Sequence, residues 1–196
     1  MAVEIGGAPR MQIYARDASA PASGPLAFDA YAKQFDAAAT ADFPLDYPTI
    51  EPAPQQRVDA NLDNLVHLEG YTLDAAEALH PGDTVRLTLF WRAQQPLQES
   101  FKVFNQVRSD AGVMVAQQDS LPVCNRHPTR GWRPGELVVD HRTLQIAPDA
   151  MPGAYPLYSG MYREATGERL NVLDAAGTPI GNEVKLGAIE VADDTE

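Results

Sequence analysis

From Thr84 to Ala93 the chain alternates, with Val85, Leu87, Leu89 and Trp91 on one side and Arg86, Thr88, Phe90 and Arg92 on the other. Successive strand residues point to opposite faces, so a period of two predicts a strand with one face buried. Pro81-Gly82-Asp83 ahead of it supplies a turn. Phe101 to Arg108 repeats the design, with Phe101, Val103, Asn105 and Val107 opposed to Lys102, Phe104, Gln106 and Arg108. Ser109-Asp110-Ala111-Gly112 then turns the chain into Val113 to Asp119, which predicts a hairpin. Further strands are predicted at Leu65 to Leu73, Leu137 to Ile146, Tyr155 to Tyr162, Arg169 to Leu173 and Val184 to Val191. Turn residues stand between them at Pro134-Gly135, Pro152-Gly153, Thr166-Gly167 and Ala176-Gly177. About eight short strands with Gly and Pro turns and no helix between them predict a mainly β fold, an antiparallel sandwich of immunoglobulin-like or jelly-roll type.

The first third of the chain is patterned differently. Residues 1 to 64 hold 15 Ala and 7 Pro. Met11-Gln12-Ile13-Tyr14 is a short strand candidate. After Pro25, the residues Phe28, Tyr31, Phe35 and Ala38 fall at helical spacing and Asp29 and Lys33 form an i,i+4 pair, so one short helix is expected there. Prolines at 44, 48, 52 and 54 keep residues 42 to 56 extended. The expected organisation is an N-terminal extension, 1–64, packing on a sandwich domain, 65–192. Phe90, large and apolar on the face opposite Leu89 and Trp91, suits a strand covered on its second side by that extension.

Composition narrows the function classes. There are 27 acidic and 15 basic residues, a formal charge of −12, which repels phosphate backbones and anionic lipid and argues against a general binder of nucleic acid or membrane surfaces. With 44% hydrophobic and 21% charged residues, the chain has enough apolar matter for an ordinary globular core. Cys124 is the single cysteine, so no intramolecular disulfide is possible. The start of the sequence lacks the basic and apolar regions of a signal peptide, and no stretch of 18 apolar residues occurs, so no spanning helix is expected.

A hydrolase would need a nucleophile, a base and an orienting group, for which Cys124, His127, His141 and Asp140 are the candidates. None lies in a nucleophile motif, and the plainer reading of Cys124, next to Pro122-Val123, is an unreactive loop or core residue. Cys124 and His127 have half the spacing of a zinc site, but His67, His80 and His141 are scattered singly, so no metal and no cofactor are expected. Acid pairs such as Glu136 with Asp140, or Asp119 with Asp140, carry little information among 27 acids. Asp140 lies within a strand, where pairing with Arg133, Arg142 or a backbone amide is its expected role. Phosphate loops, H-E-x-x-H and G-x-S-x-G are all absent from the sequence, so no catalytic residues are assigned.

Aromatic residues give sharper candidates. Trp132 lies in a long loop, Pro122 to Pro134, with Asn125, Arg126, His127 and Arg130, the basic cluster of an acidic chain. It is either a ring on which a pyranose stacks or a cap over one end of the core. Tyr158 and Tyr162, on one strand face with Gly160 between them, are either a second platform or half-buried packing. Trp91 belongs to the core.

A series of short elements carries a resemblance. Leu68-Glu69-Gly70-Tyr71-Thr72-Leu73, Pro81-Gly82-Asp83-Thr84-Val85, Leu89-Phe90-Trp91-Arg92-Ala93, Val103-Phe104, Ala116-Gln117-Gln118-Asp119 and Pro122 open it. Pro128 to Glu136, Asp140, Pro152-Gly153-Ala154-Tyr155, Gly160-Met161-Tyr162, Thr166 to Leu170 and Leu186-Gly187 complete it. In this order, over about residues 62 to 191, they resemble the C-terminal extracytoplasmic domain of Chloroflexi-type multi-pass membrane glycosyltransferases, which are protein-mannosyltransferase-like. The resemblance implies a β-sandwich appended to a membrane enzyme that uses lipid-linked sugar donors. The catalytic acids of such enzymes lie between their membrane helices, outside this sequence. Met11 to Tyr14 also looks like the final strand of the preceding segment in those proteins. One departure is Asn105, where those relatives often have His. The implied location is the extracytoplasmic face of the cell membrane, and the implied partners are glycan or the membrane-embedded part of the parent. Two functions remain: a non-catalytic structural or interaction module, or a carbohydrate-binding module with Trp132 as stacking ring and Arg126, His127 and Arg130 as donors.

Overall fold

The computed structural model describes residues 51–76 and 79–193. The Met11–Tyr14 strand, the helix after Pro25 and the cover they would give Phe90 lie outside the described residues. Within them the chain forms ten strands: β1 Gln56–Leu62, β2 Val66–Asp74, β3 Thr84–Ala93, β4 Phe101–Arg108, β5 Met114–Ser120, β6 Leu137–Gln145, β7 Gly153–Arg163, β8 Val172–Leu173, β9 Pro179–Gly181 and β10 Val184–Val191. They make two antiparallel sheets, ordered β6-β3-β2-β1-β8-β9 and β10-β7-β4-β5. The hairpin of β4 and β5 is present as predicted, pairing Val103 with Ser120 through Arg108 with Met114.

All eight predicted strands are found, and two more join them. β9 is three exposed residues, too short to carry an alternation. β1 lies on the N-terminal side of residue 64, in chain that composition assigns to the extension, and pairs with both β2 and β8. Its pattern is broken at Asp59, whose φ of 63° sits at a register shift between Arg57 and Ala60. A bulge of this kind moves an extra residue out of the ladder and erases the period of two.

The two sheets close on one apolar core. Val85, Leu87, Leu89 and Trp91 of β3, Val103 and Val107 of β4, and Leu157 and Met161 of β7 have no exposed surface. Each such side chain contributes roughly 1.5–3 kcal/mol by leaving water. Tyr71 crosses between the sheets, donating its hydroxyl to the Leu186 carbonyl at 2.5 Å. There β10 shifts register at Gly187, where a Cβ would stand 2.9 Å from the Tyr71 oxygen.

One side of the interior is polar. β5 and β6 are the edge strands that face one another across the two sheets. Asp140 and Arg142 both turn inward from β6, and their side chains are fully buried as an ion pair. The Arg142 guanidinium also donates to Gln118 Oε1 at 3.1 Å and to the Ser120 hydroxyl, both on β5. Further in, Asn105 donates to Gln118, and Ser159 donates to Asn105 Oδ1 at 2.9 Å. The seam therefore ties sheet to sheet with hydrogen-bonded groups, the condition under which buried polar atoms are tolerated. Of the three partners expected for Asp140, Arg142 and a backbone amide are the ones found.

Candidate binding loop

Sixteen residues, Leu121 to Glu136, connect β5 to β6 across the sheet edges. Loops of this length in compact domains are uncommon and are frequently functional. The loop opens with Val123, Cys124 and Asn125 in succession at φ of 53°, 51° and 65°. Left-handed backbone costs an L residue about 1–2 kcal/mol, and a β-branched one such as Val rarely adopts it. Local bonds hold the turn, since the Asn125 amide donates to the Leu121 carbonyl at 3.1 Å and the Leu121 amide donates to Asn125 Oδ1 at 3.0 Å. The seam beneath holds it too. Asp140 Oδ1 accepts from the Val123 amide at 2.8 Å, and Arg142 donates to the Leu121 carbonyl at 3.4 Å.

The middle of the loop is pinned at Thr129 and Trp132. Thr129 starts a 3-10 turn, Thr129–Gly131, and is fully buried. Its hydroxyl accepts from the Phe101 amide and donates to the Glu99 carbonyl, each at 2.9 Å. Trp132 is only 3% exposed and belongs to the core, with its indole N–H donating to the His127 carbonyl at 3.0 Å. The expectation of Trp132 as a stacking ring is thereby corrected. The alternative reading, a cap over the core, describes it, because an apolar ring with one internal acceptor is more stable inside than in water.

The closing residues form a small polar frame. Glu136 accepts from His127 Nε2 at 2.8 Å and from the Arg133 amide at 2.7 Å. Burial alone would raise the Glu136 carboxyl, but these donors together outweigh it and hold the group below its ordinary range. The Gly135 amide donates to the Ala93 carbonyl at 2.8 Å, and Arg92 donates to the Gly135 carbonyl at 2.7 Å. His127, Gly131, Arg133, Pro134 and Glu136 line an open hollow of about 430 Å³.

The expected donors Arg126 and Arg130 are exposed, as is Arg133, while His127 is half-buried. None of the three arginines has an ion-pair partner among the described residues, whereas Arg86, Arg92, Arg108, Arg142, Arg163 and Arg169 are each paired.

Tyr158 and Tyr162 do not join this loop. They lie on the outward face of β7, half-buried. Arg108 stacks over the Tyr158 ring at 4.0 Å, and burial, with the Asp119 carboxylate, holds the Tyr162 hydroxyl above its ordinary range. Between them the Phe104 ring fills the space over Gly160, where a Cβ would come within 2.6 Å of it, and Arg169 covers that ring at 4.0 Å. Glu183 joins the two guanidiniums, at 2.5 Å to Arg108 and 2.8 Å to Arg169. The two tyrosines thus fit the reading of half-buried packing.

The hydrolase candidates are not brought together. Neighbours on a strand face opposite sides, so Asp140 turns inward while His141 turns outward, 3.0 Å from the Thr88 hydroxyl. Cys124 is exposed, its thiol 3.7 Å from the His141 carbonyl oxygen rather than the imidazole. Among the described residues, no three His, Cys, Asp or Glu side chains gather as a metal would require. No helix among them is long and apolar enough to cross a membrane. Thr129, Glu136 and Arg133 enter the site without having been assigned to it from sequence. For Thr129 no sequence signal exists, since its two bonds depend on where the start of β4 lies in space.

No family model and no curated protein matches this chain. Among solved structures, the chain is similar to the C-terminal domain of Wzt at 11% identity and a TM-score of 0.45, over 73% of this chain and 84% of that one. It is also similar to a glycoside hydrolase family 2 β-glucuronidase, at 11% identity and a TM-score of 0.39, over 53% of this chain and 11% of the enzyme. A CARDB domain from Pyrococcus furiosus, solved with di-metal ions, is similar at 11% identity and a TM-score of 0.35, over 71% of this chain and 95% of that one. These likenesses are distant, and the sandwich architecture rests on the strand pairing itself.

Proposed function

We propose that the chain is a non-catalytic β-sandwich module on the extracytoplasmic side of the membrane, the C-terminal part of a glycosyltransferase-like membrane protein, with a structural or interaction role. The observation that carries the non-catalytic part is the disposition of Asp140, buried against Arg142 and bonded to the Val123 amide, where it holds a loop. A general base needs reach to a substrate proton, which a sealed ion pair denies it. The parent and the location rest on the sequence resemblance. A second reading, a module that holds glycan, loses Trp132 as its ring and is favoured now by the hollow beside Arg133.

Cys124, single and exposed, provides the test of location. A membrane-impermeant maleimide applied to intact cells producing the protein should label it, and the Cys124→Ser variant should stay unlabelled. Labelling only after lysis overturns the location. For the non-catalytic part, the purified chain should turn over neither chromogenic glycosides nor esters. Turnover abolished by Cys124→Ser or His141→Ala would overturn it.

A further inference from the structure

The loop from Leu121 to Glu136 carries a charge opposite to that of the chain, with Arg126, Arg130 and Arg133 against Glu136 alone where the whole sequence stands at −12. Among the described residues Arg57 is the one other arginine without an ion-pair partner, and it lies on β1. At physiological salt, charges beyond about 8 Å are largely screened, so a ligand at this loop responds to the three guanidiniums more than to the distant acids. The loop is also built to stay in place, through buried Thr129 and Trp132 and through the seam under Val123. A rigid display of this kind lowers the ordering cost of binding.

The hollow indicates the rest of the ligand. Arg133 and Glu136 share its lining with His127, Gly131 and Pro134. A carboxylate has about four acceptor sites, and among the described residues two of those on Glu136 are taken, by His127 and by the Arg133 amide. A bare phosphate placed there would meet this anionic group. A sugar hydroxyl would instead donate to it, while a carboxylate on the same sugar would find the Arg133 fork, whose planar donors match it in two places. We propose that the β5–β6 loop binds an anionic saccharide, with a uronate carboxylate on Arg133, further carboxylates of the same glycan on the exposed Arg126 and Arg130, and its hydroxyls in the hollow at Glu136 and His127. This rests on the glycan reading of the module and adds to it the class of sugar and the residues.

The test is an NMR titration of the whole chain with tetragalacturonate, with neutral maltotetraose and with tripolyphosphate. The tetragalacturonate should shift the amides of Gly131 and His127 saturably, and the other two should not. Each of Arg126→Gln, Arg130→Gln and Arg133→Gln should weaken it about tenfold, the effect of one charge-assisted contact, while Arg57→Gln leaves it unchanged. Strand circular dichroism checks that every variant is folded. Equal binding of tripolyphosphate overturns the proposal by reducing the loop to a general anion surface. Loss of binding in Arg57→Gln as large as in the loop variants overturns it as well. Maltotetraose binding without tetragalacturonate binding overturns the anionic class and leaves the glycan reading standing. If no saccharide binds, both fall.

Discussion

The buried Asp140 carboxylate holds the Val123 amide at 2.8 Å, and through that bond an interior ion pair fixes the start of the exposed loop. Stability of the sandwich and shape of its candidate binding surface are thereby coupled. Removing Arg142 leaves Asp140 unpaired in the interior, so Arg142→Leu should destabilise by about 3–5 kcal/mol. The double replacement Asp140→Leu/Arg142→Leu should cost less than the sum of the two single changes. A double-mutant cycle in urea checks this, and simple additivity would show that the pair is not the anchor.

Cys124 stands at φ 51° with its side chain in solvent, so it bears the left-handed strain with little packing in return. Cys124→Gly should therefore stabilise the protein by about 1 kcal/mol, read as a raised Tm, and Cys124→Val should lower it. No gain in the glycine variant would mean that the turn relaxes in solution.

Trp132, at 3% exposure, behaves as core. Trp132→Ala should cost about 3–5 kcal/mol in denaturant unfolding. Both tryptophans are buried, Trp91 at 0%, so their fluorescence should resist quenching by iodide in the native state. A readily quenched fraction that disappears in Trp132→Phe would place the ring in solvent.

Glu136 sets a pH dependence whose sign follows from its depressed carboxyl. A group held below its unfolded value of about 4.3 contributes stability that is complete above that value and is lost as pH falls through the folded one. Acid unfolding of the wild type should accordingly include a Glu136 contribution below about pH 4. Glu136→Gln should flatten that part of the stability curve, and an unaltered curve would remove the His127–Glu136 pair from the argument.

On the outward face of the second sheet, Gly160→Ala would bring a methyl group to 2.6 Å from the Phe104 ring. The ring is wedged under Arg169, so a cost of about 1–3 kcal/mol is expected from urea unfolding. The companion Gly160→Ala/Phe104→Leu should recover part of it. A neutral single variant would show the Phe104 ring free to swing aside.

The strands were legible because their cause is local. Val85, Leu87, Leu89 and Trp91 declare a buried face whatever the rest of the chain does, and so do Phe101, Val103 and Val107. β1 escaped because the Asp59 bulge breaks its period, and β9 because three residues cannot express one. Acidity, the lone Cys124 and the basic loop were also written in the sequence alone. Tertiary structure decided which way the loop residues turn. Trp132 and Arg130 are two positions apart and equally at home in a loop, yet one enters the core and the other stays in water. That choice depends on space left between two sheets whose edges are distant in sequence, and on the Glu99 carbonyl and Phe101 amide, which meet Thr129 only after the sandwich has closed. Alternation along a strand states which side is apolar; it carries no information about where a loop between two edges comes to rest.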